Sequence, residues 1–119
     1  MARRIVITGL GLVSAVGIGT DETWQAILAG ESGIAPITRF DTTDFACKIA
    51  AEVKGFDPLQ FVEKKELKKM GMFIQYALAA AEFAMKTAQL EITPDIAERT
   101  GVFLGSGIGG FDVIEREHT

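Results

Sequence analysis

Three groups of residues have types and spacings that could do chemistry. Cys47 is the single thiol of the sequence and His118 the single imidazole. A thiolate nucleophile with a histidine base needs that pair of residue types. Cys47, however, falls on the apolar side of the alternating stretch Phe45 to Val53, where a cysteine serves as a small core side chain. His118 falls in the charged segment EREHT and reads as solvated or helical surface. One cysteine also excludes an internal disulfide framework and a cysteine-rich zinc site. The second group is a run of lysines, Lys64, Lys65, Lys68 and Lys69. Such a run is ordinarily a solvated face. On a chain of net charge −4 it stands out as a local basic patch.

The third group is glycine. RRIVITGLGLVSAVG near the start and GVFLGSGIGGFD from Gly101 to Asp112 each run a short apolar stretch into a glycine-rich turn. Phosphate binding is one use of that pattern. A dinucleotide fingerprint starting at Gly9 and Gly11 needs a third glycine at 14, which is Ser14. It also needs an acidic residue ending a second strand about 20 residues on, and AGESGIAPIT reads as no strand. A P-loop needs Gly-Lys-Ser/Thr, which follows neither turn. The amides of GSGIGG could meet an anion, but no helix-start lysine supports that use. The other use is close packing beside a substrate. Ile108, alone between Gly107 and Gly109, would then project from a bare backbone.

The elements that would position these groups read as α/β. Ile5 to Thr8 and Val102 to Leu104 are expected as short buried strands. A helix follows Thr20, which is placed to cap it, with Asp21 and Glu22 complementing the dipole. Trp24, Ile27 and Leu28 share one face, and Gly30 offers a left-handed stop. Residues 33–44 read as loop, and Phe45 to Val53 as a half-exposed strand. Pro58 starts a short helix, and Glu63 to Met70 makes a charged turn or two. Met72 to Leu90 is a long helix, apolar nearly all round, with a narrow polar stripe of Gln75, Glu82, Lys86 and Gln89. Such a helix is normally buried between layers, and few residues here could enclose it. Thr93 and Pro94 open a further short helix.

Apolar residues make up 48% of the chain, enough for a core, and its length fits one domain or a piece of a larger one. The pI of about 5.0 argues against general nucleic-acid binding. Arg3 and Arg4 before an apolar stretch resemble a secretory leader, but four glycines with Thr8 and Ser14 would make it a poor apolar helix. No apolar run reaches the ~20 residues that cross a bilayer. The composition suits a reducing, cytoplasmic setting. The residues alone leave two classes open, part of an enzyme or a small binding module.

Five blocks narrow that choice. RRIVITGLGLVSAVG, TWQAILAGESGI, FDTTDFACKIAAEVKGFDP, KKELKKMGMFIQYALAAAEFAM and GVFLGSGIGGFDVIEREH, in this order and spacing, resemble the N-terminal part of the β-ketoacyl-acyl-carrier-protein synthases, most of all the elongating synthase II type. The resemblance covers essentially all of residues 1–119. It implies the thiolase fold, two similar α/β halves stacked as five layers, α-β-α-β-α, of which this chain is part of the N-terminal half. It implies a homodimeric acyltransferase of fatty acid synthesis acting by decarboxylative Claisen condensation. Acyl and malonyl thioesters are its substrates and acyl carrier protein its partner, with no cofactor or metal.

The family's nucleophilic cysteine and two histidines lie beyond position 119, and its TAC motif is absent here. No catalytic residue is therefore carried over, and Cys47 does not take the nucleophile's place. The family pattern places carrier-protein docking on Lys65, Lys68 and Lys69, and an acyl-pocket wall at Ile108, the residue after GSG. Polyketide ketosynthases share parts of the pattern, and so does a chain-length factor, a member whose nucleophile has been replaced.

Overall fold

A computed structural model describes residues 3–118. The chain forms two compact units, one of Met1–Gly11 with Pro58–Thr119 and one of Leu12–Asp57.

In the Leu12–Asp57 unit, β1 (Val13–Ser14) and β2 (Gly17–Ile18) make an antiparallel hairpin that leads into α1 (Thr20–Leu28). The helix cap is Gly19 rather than the expected Thr20, which is already helical. No side chain caps the helix; the Glu22 carboxylate instead turns back to β2 and accepts the Ile18 N–H at 2.8 Å. At the other end, the Glu31 and Gly30 amides donate to Ala26 and Ile27, closing a Schellman turn at 2.9 and 3.0 Å. Gly30 has φ +71°, the left-handed stop expected of it. The buried face of α1 is Thr23 and Ala26, whereas Trp24, Ile27 and Leu28 are each more than half exposed, against expectation. The reason is polar. The Thr23 hydroxyl donates to Gly17 O at 3.2 Å and lies 3.1 Å from Ser14 Oγ, so α1 sits on the hairpin through its small residues.

Residues 33–44 are not all loop. Ile34–Pro36 forms β3, antiparallel to β4 (Ile49–Ala51) in the register Ile34↔Ala51, Ala35↔Ala50 and Pro36↔Ile49. Both strands are sheet edges, where a proline is tolerated. The expected strand from Phe45 to Val53 shrinks to three residues, and within them the faces are reversed, although Lys48 is exposed and Val53 half-buried as expected. Phe45, Cys47, Ile49 and Ala51 are exposed, while Ala50 and Glu52 are half-buried. Glu52 decides this. Its carboxylate accepts the Thr38 hydroxyl at 2.7 Å and the Thr38 and Arg39 amides at 3.2 and 3.3 Å.

In the other unit, a 3-10 turn at Pro58–Gln60 precedes α2 (Lys64–Leu67), α3 (Met72–Ala88) and α4 (Pro94–Ala97), all near their expected places. A fifth helix, α5 (Phe111–His118), makes EREH helical surface, one of the two readings of that segment. Thr119 lies outside the described residues. Ala79 of α3 is fully buried, Val62 nearly so, and Phe61 meets Phe83 edge-on at 5.3 Å. Gly9 and Gly11 explain the first glycine turn. A Cβ on Gly11 would lie 1.9 Å from Ala80 O, and one on Gly9 2.2 Å from Ala84 O. The alanines of α3 and these two glycines thus bring backbone against backbone, and Thr87 Oγ1 reaches Leu10 O at 3.2 Å.

The two apolar stretches expected as buried strands are not strands here. Ile5 is 91% and Phe103 97% exposed, and neither stretch is paired in a ladder. A central strand exists only with neighbours on both sides and layers on both faces, and these residues supply neither. For the same reason Phe73, Leu78 and Met85 of α3 remain partly open. Gln75, expected in the polar stripe, is instead buried.

Candidate functional site

The basic patch is carried by α2 and the turn that follows it. Lys65 pairs with Glu63 at 2.7 Å, and Lys69 Nζ meets both carboxylate oxygens of Glu66 at 3.0 and 3.1 Å. Lys64 and Lys68 are exposed and make no ion pair among the described residues. Surface pairs of this kind are worth about 0–1 kcal/mol, so Lys65 and Lys69 can exchange partners readily. The face offers four ammonium groups against two carboxylates, a positive surplus on an acidic chain.

The turn after α2 is tied to α3. Lys69 and Met70 amides donate back to Glu66 and Leu67, and the buried Gln75 Nε2 donates to Met70 O at 3.2 Å. Gly71, the α3 cap, has no side chain to do this. Helical spacing puts Gln75 on a solvated stripe and holds no signal of its burial.

The second glycine turn leads from Leu104 to α5. Gly109 has φ +73°, and a Cβ there would meet the Phe73 ring at 2.9 Å, so the turn is seated on the first turn of α3. Gly105 and Gly107 are different: a Cβ on either would have nothing within 4 Å. An apolar cleft of about 320 Å³ lies between Phe73, Ala77 and Leu78 on one side and Leu104 to Ser106 on the other. Its lining ends at Ser106. Ile108 is 75% exposed, not the ordinary core isoleucine its type suggests.

Cys47 is exposed, with Sγ 3.4 Å from Ile49 O, which corrects its reading as a core side chain. His118 ends α5 and is exposed as expected, in the other unit from Cys47. Among the described residues no cluster of three potential ligands could hold a metal, and no helix is long and apolar enough to cross a membrane.

Residues 2–119 match the family model for the beta-ketoacyl synthase N-terminal domain. The chain is 48% identical over 116 residues to 3-oxoacyl-[acyl-carrier-protein] synthase 2 of Vibrio cholerae, and 48% identical over 116 residues to that of Coxiella burnetii. It is 44% identical over 116 residues to the Staphylococcus aureus protein of the same name. Each alignment covers 98% of this chain and 28% of the relative, so the chain spans just over a quarter of the length of the curated relatives it matches. Among solved structures it is similar to the ishigamide ketosynthase/chain length factor, with TM-score 0.66 and 43% identity over 72% of this chain and 21% of that one. A mixed α/β chain whose glycine turns pack on an alanine-rich helix, matched over nearly its whole length, belongs to the beta-ketoacyl synthase family and to the N-terminal part of its thiolase-like fold.

Proposed function

We propose that residues 1–119 are the N-terminal part of the ketosynthase domain of a condensing acyltransferase of the 3-oxoacyl-acyl-carrier-protein synthase II type. The observation that carries this is the 44–48% identity, over 98% of the chain, to proteins of that name from three bacteria. The reaction joins an enzyme-bound acyl group to the C2 carbanion left when malonyl-carrier-protein loses carbon dioxide. The thioester bond to the enzyme breaks, a carbon–carbon bond forms, and the enzyme thiol is released.

This segment supplies surfaces to that reaction rather than its nucleophile. The lysines of α2 receive acidic acyl carrier protein, with Lys65, Lys68 and Lys69 as the docking residues. Ile108 lines the acyl pocket, close to the apolar cleft under the glycine turn. The enzyme works as a cytoplasmic homodimer without metal or cofactor. The likeness to a ketosynthase/chain length factor favours a second reading, a polyketide ketosynthase or a chain-length factor.

Assay of the full-length gene product with acyl- and malonyl-carrier-protein separates these. Under the main reading it is roughly three to four times as long as this chain, as the 28% span implies, and forms β-ketoacyl product with release of carbon dioxide. A chain-length factor would form none. A full-length product of only this size that binds ligands without turnover would make it a binding module.

A further inference from the structure

Gln75 is 6% exposed on a helix face where an apolar residue would pack without penalty. Its Nε2 donates to Met70 O at 3.2 Å, while its buried Oε1 has no hydrogen-bond partner among the described residues. A flipped amide would set oxygen against oxygen at Met70, so the donor end is fixed in place. A buried amide that satisfies only its donor is a poor filler, and its donor bond is what distinguishes it from leucine or methionine. That bond joins two elements. Met70 is held to α2 by its own amide, which donates to Leu67 O at 3.3 Å, and to α3 by the Gln75 side chain. The α3 cap, Gly71, makes no side-chain bond of its own. Lys68 and Lys69 lie directly before this junction.

We infer that Gln75 is a positioning residue for carrier-protein docking: by clamping Met70 it fixes the direction in which the lysine-bearing turn meets an acidic partner. The inference rests on the docking role given to α2 above. It adds that a buried residue, which touches no partner, sets the affinity for one.

The test uses the full-length enzyme with Gln75→Met, which keeps length and helix propensity but cannot donate, and Gln75→Leu as a second variant. One neutral hydrogen bond corresponds to a change of about three- to tenfold. KM for acyl-carrier-protein should rise by up to that factor. The kcat, and KM for a carrier-free thioester, should stay within about twofold. Hydrogen exchange across residues 64–71 should quicken. An unchanged carrier KM, or equal loss with both substrates, overturns the inference. Lys68→Glu is measured alongside. If it raises carrier KM and Gln75→Met does not, only the positioning role fails. If neither does, the docking role fails and this inference with it.

Discussion

Replacing Gly11 with alanine puts a methyl group 1.9 Å from the Ala80 carbonyl oxygen and 2.6 Å from the Ala84 amide nitrogen. Both are backbone atoms inside a regular helix, so no side chain can swing aside. Ordinary contact starts near 3.4 Å, so the separation between residue 11 and α3 must open by about 1.5 Å. A gap of 0.5–1 Å already forfeits a quarter to a half of a dispersion contact, so the whole junction is lost rather than loosened. Overpacking of this kind costs about 1–3 kcal/mol, and a backbone clash belongs at the upper end. In thermal unfolding of the full-length protein, roughly three to four times the length of this chain, Gly11→Ala should lower Tm by about 3 °C. Gly9→Ala should do the same. It should not be rescued by Ala88→Gly, because the Ala84 carbonyl stays in the way after the Ala88 methyl is removed. A Gly11→Ala protein with parental Tm would mean that the close approach is dispensable, and the clash with α3 would then explain nothing about the glycine.

Lys68→Glu should raise KM for acyl-carrier-protein more than Lys65→Glu, because Lys65 is already partly neutralised by Glu63; both effects should fade with added salt, and equal effects on a carrier-free thioester would point to structural damage instead. Ile108→Phe in the complete enzyme should depress kcat/KM for long acyl primers about ten- to hundredfold relative to short ones, and an unchanged ratio would remove Ile108 from the pocket wall. The hydrogen bonds from Thr38, helped by the Arg39 amide and charge, hold the Glu52 carboxyl below its ordinary 4.5 despite some opposing desolvation. The folded state therefore favours the carboxylate, so the β3–β4 hairpin is fully supported above pH 4.5 and loses that support as pH falls through the lower folded value. The Thr38 and Arg39 amide shifts should titrate in that window, and Glu52→Gln should abolish the change. The 119-residue chain alone should show no condensation and should bind a hydrophobic dye, given the open faces of α3; turnover that vanishes in Cys47→Ala would overturn the statement that Cys47 does not take the nucleophile's place.

Local signals in the sequence proved readable where the chain satisfies them locally. Pro58, Pro94 and Gly30 stand where their backbone preferences place them, and the glycines of the first turn serve close packing, here against the alanines of α3. What failed depends on partners distant in sequence or outside these residues. Ile5 to Thr8 and Val102 to Leu104 have strand composition, but composition cannot supply a ladder neighbour. Glu52 reversed the faces of β4 through bonds to residues 13 and 14 positions away, which alternation cannot register. For the site, the lysine run was legible as charge, whereas its clamp was not. Gln75 looks like any solvated glutamine until the Met70 carbonyl is placed beside it.

The glycine turn near position 10 closes onto a helix made much later. Leu10 and Thr87, which meet through the Thr87 hydroxyl, are 77 positions apart. At about 5–20 residues per second, a ribosome takes roughly 4–15 s to traverse that interval. During that interval Gly9 and Gly11 have no Ala80 or Ala84 to pack against, and the apolar run Ile5-Val6-Ile7 just before them is made first. The residues between, Leu12–Asp57, belong to a compact unit of their own. Biogenesis of this protein thus includes an apolar segment that must wait. A nascent-chain holdase that recognises short apolar stretches has its binding window there, and slowing translation between residues 58 and 87 should widen it.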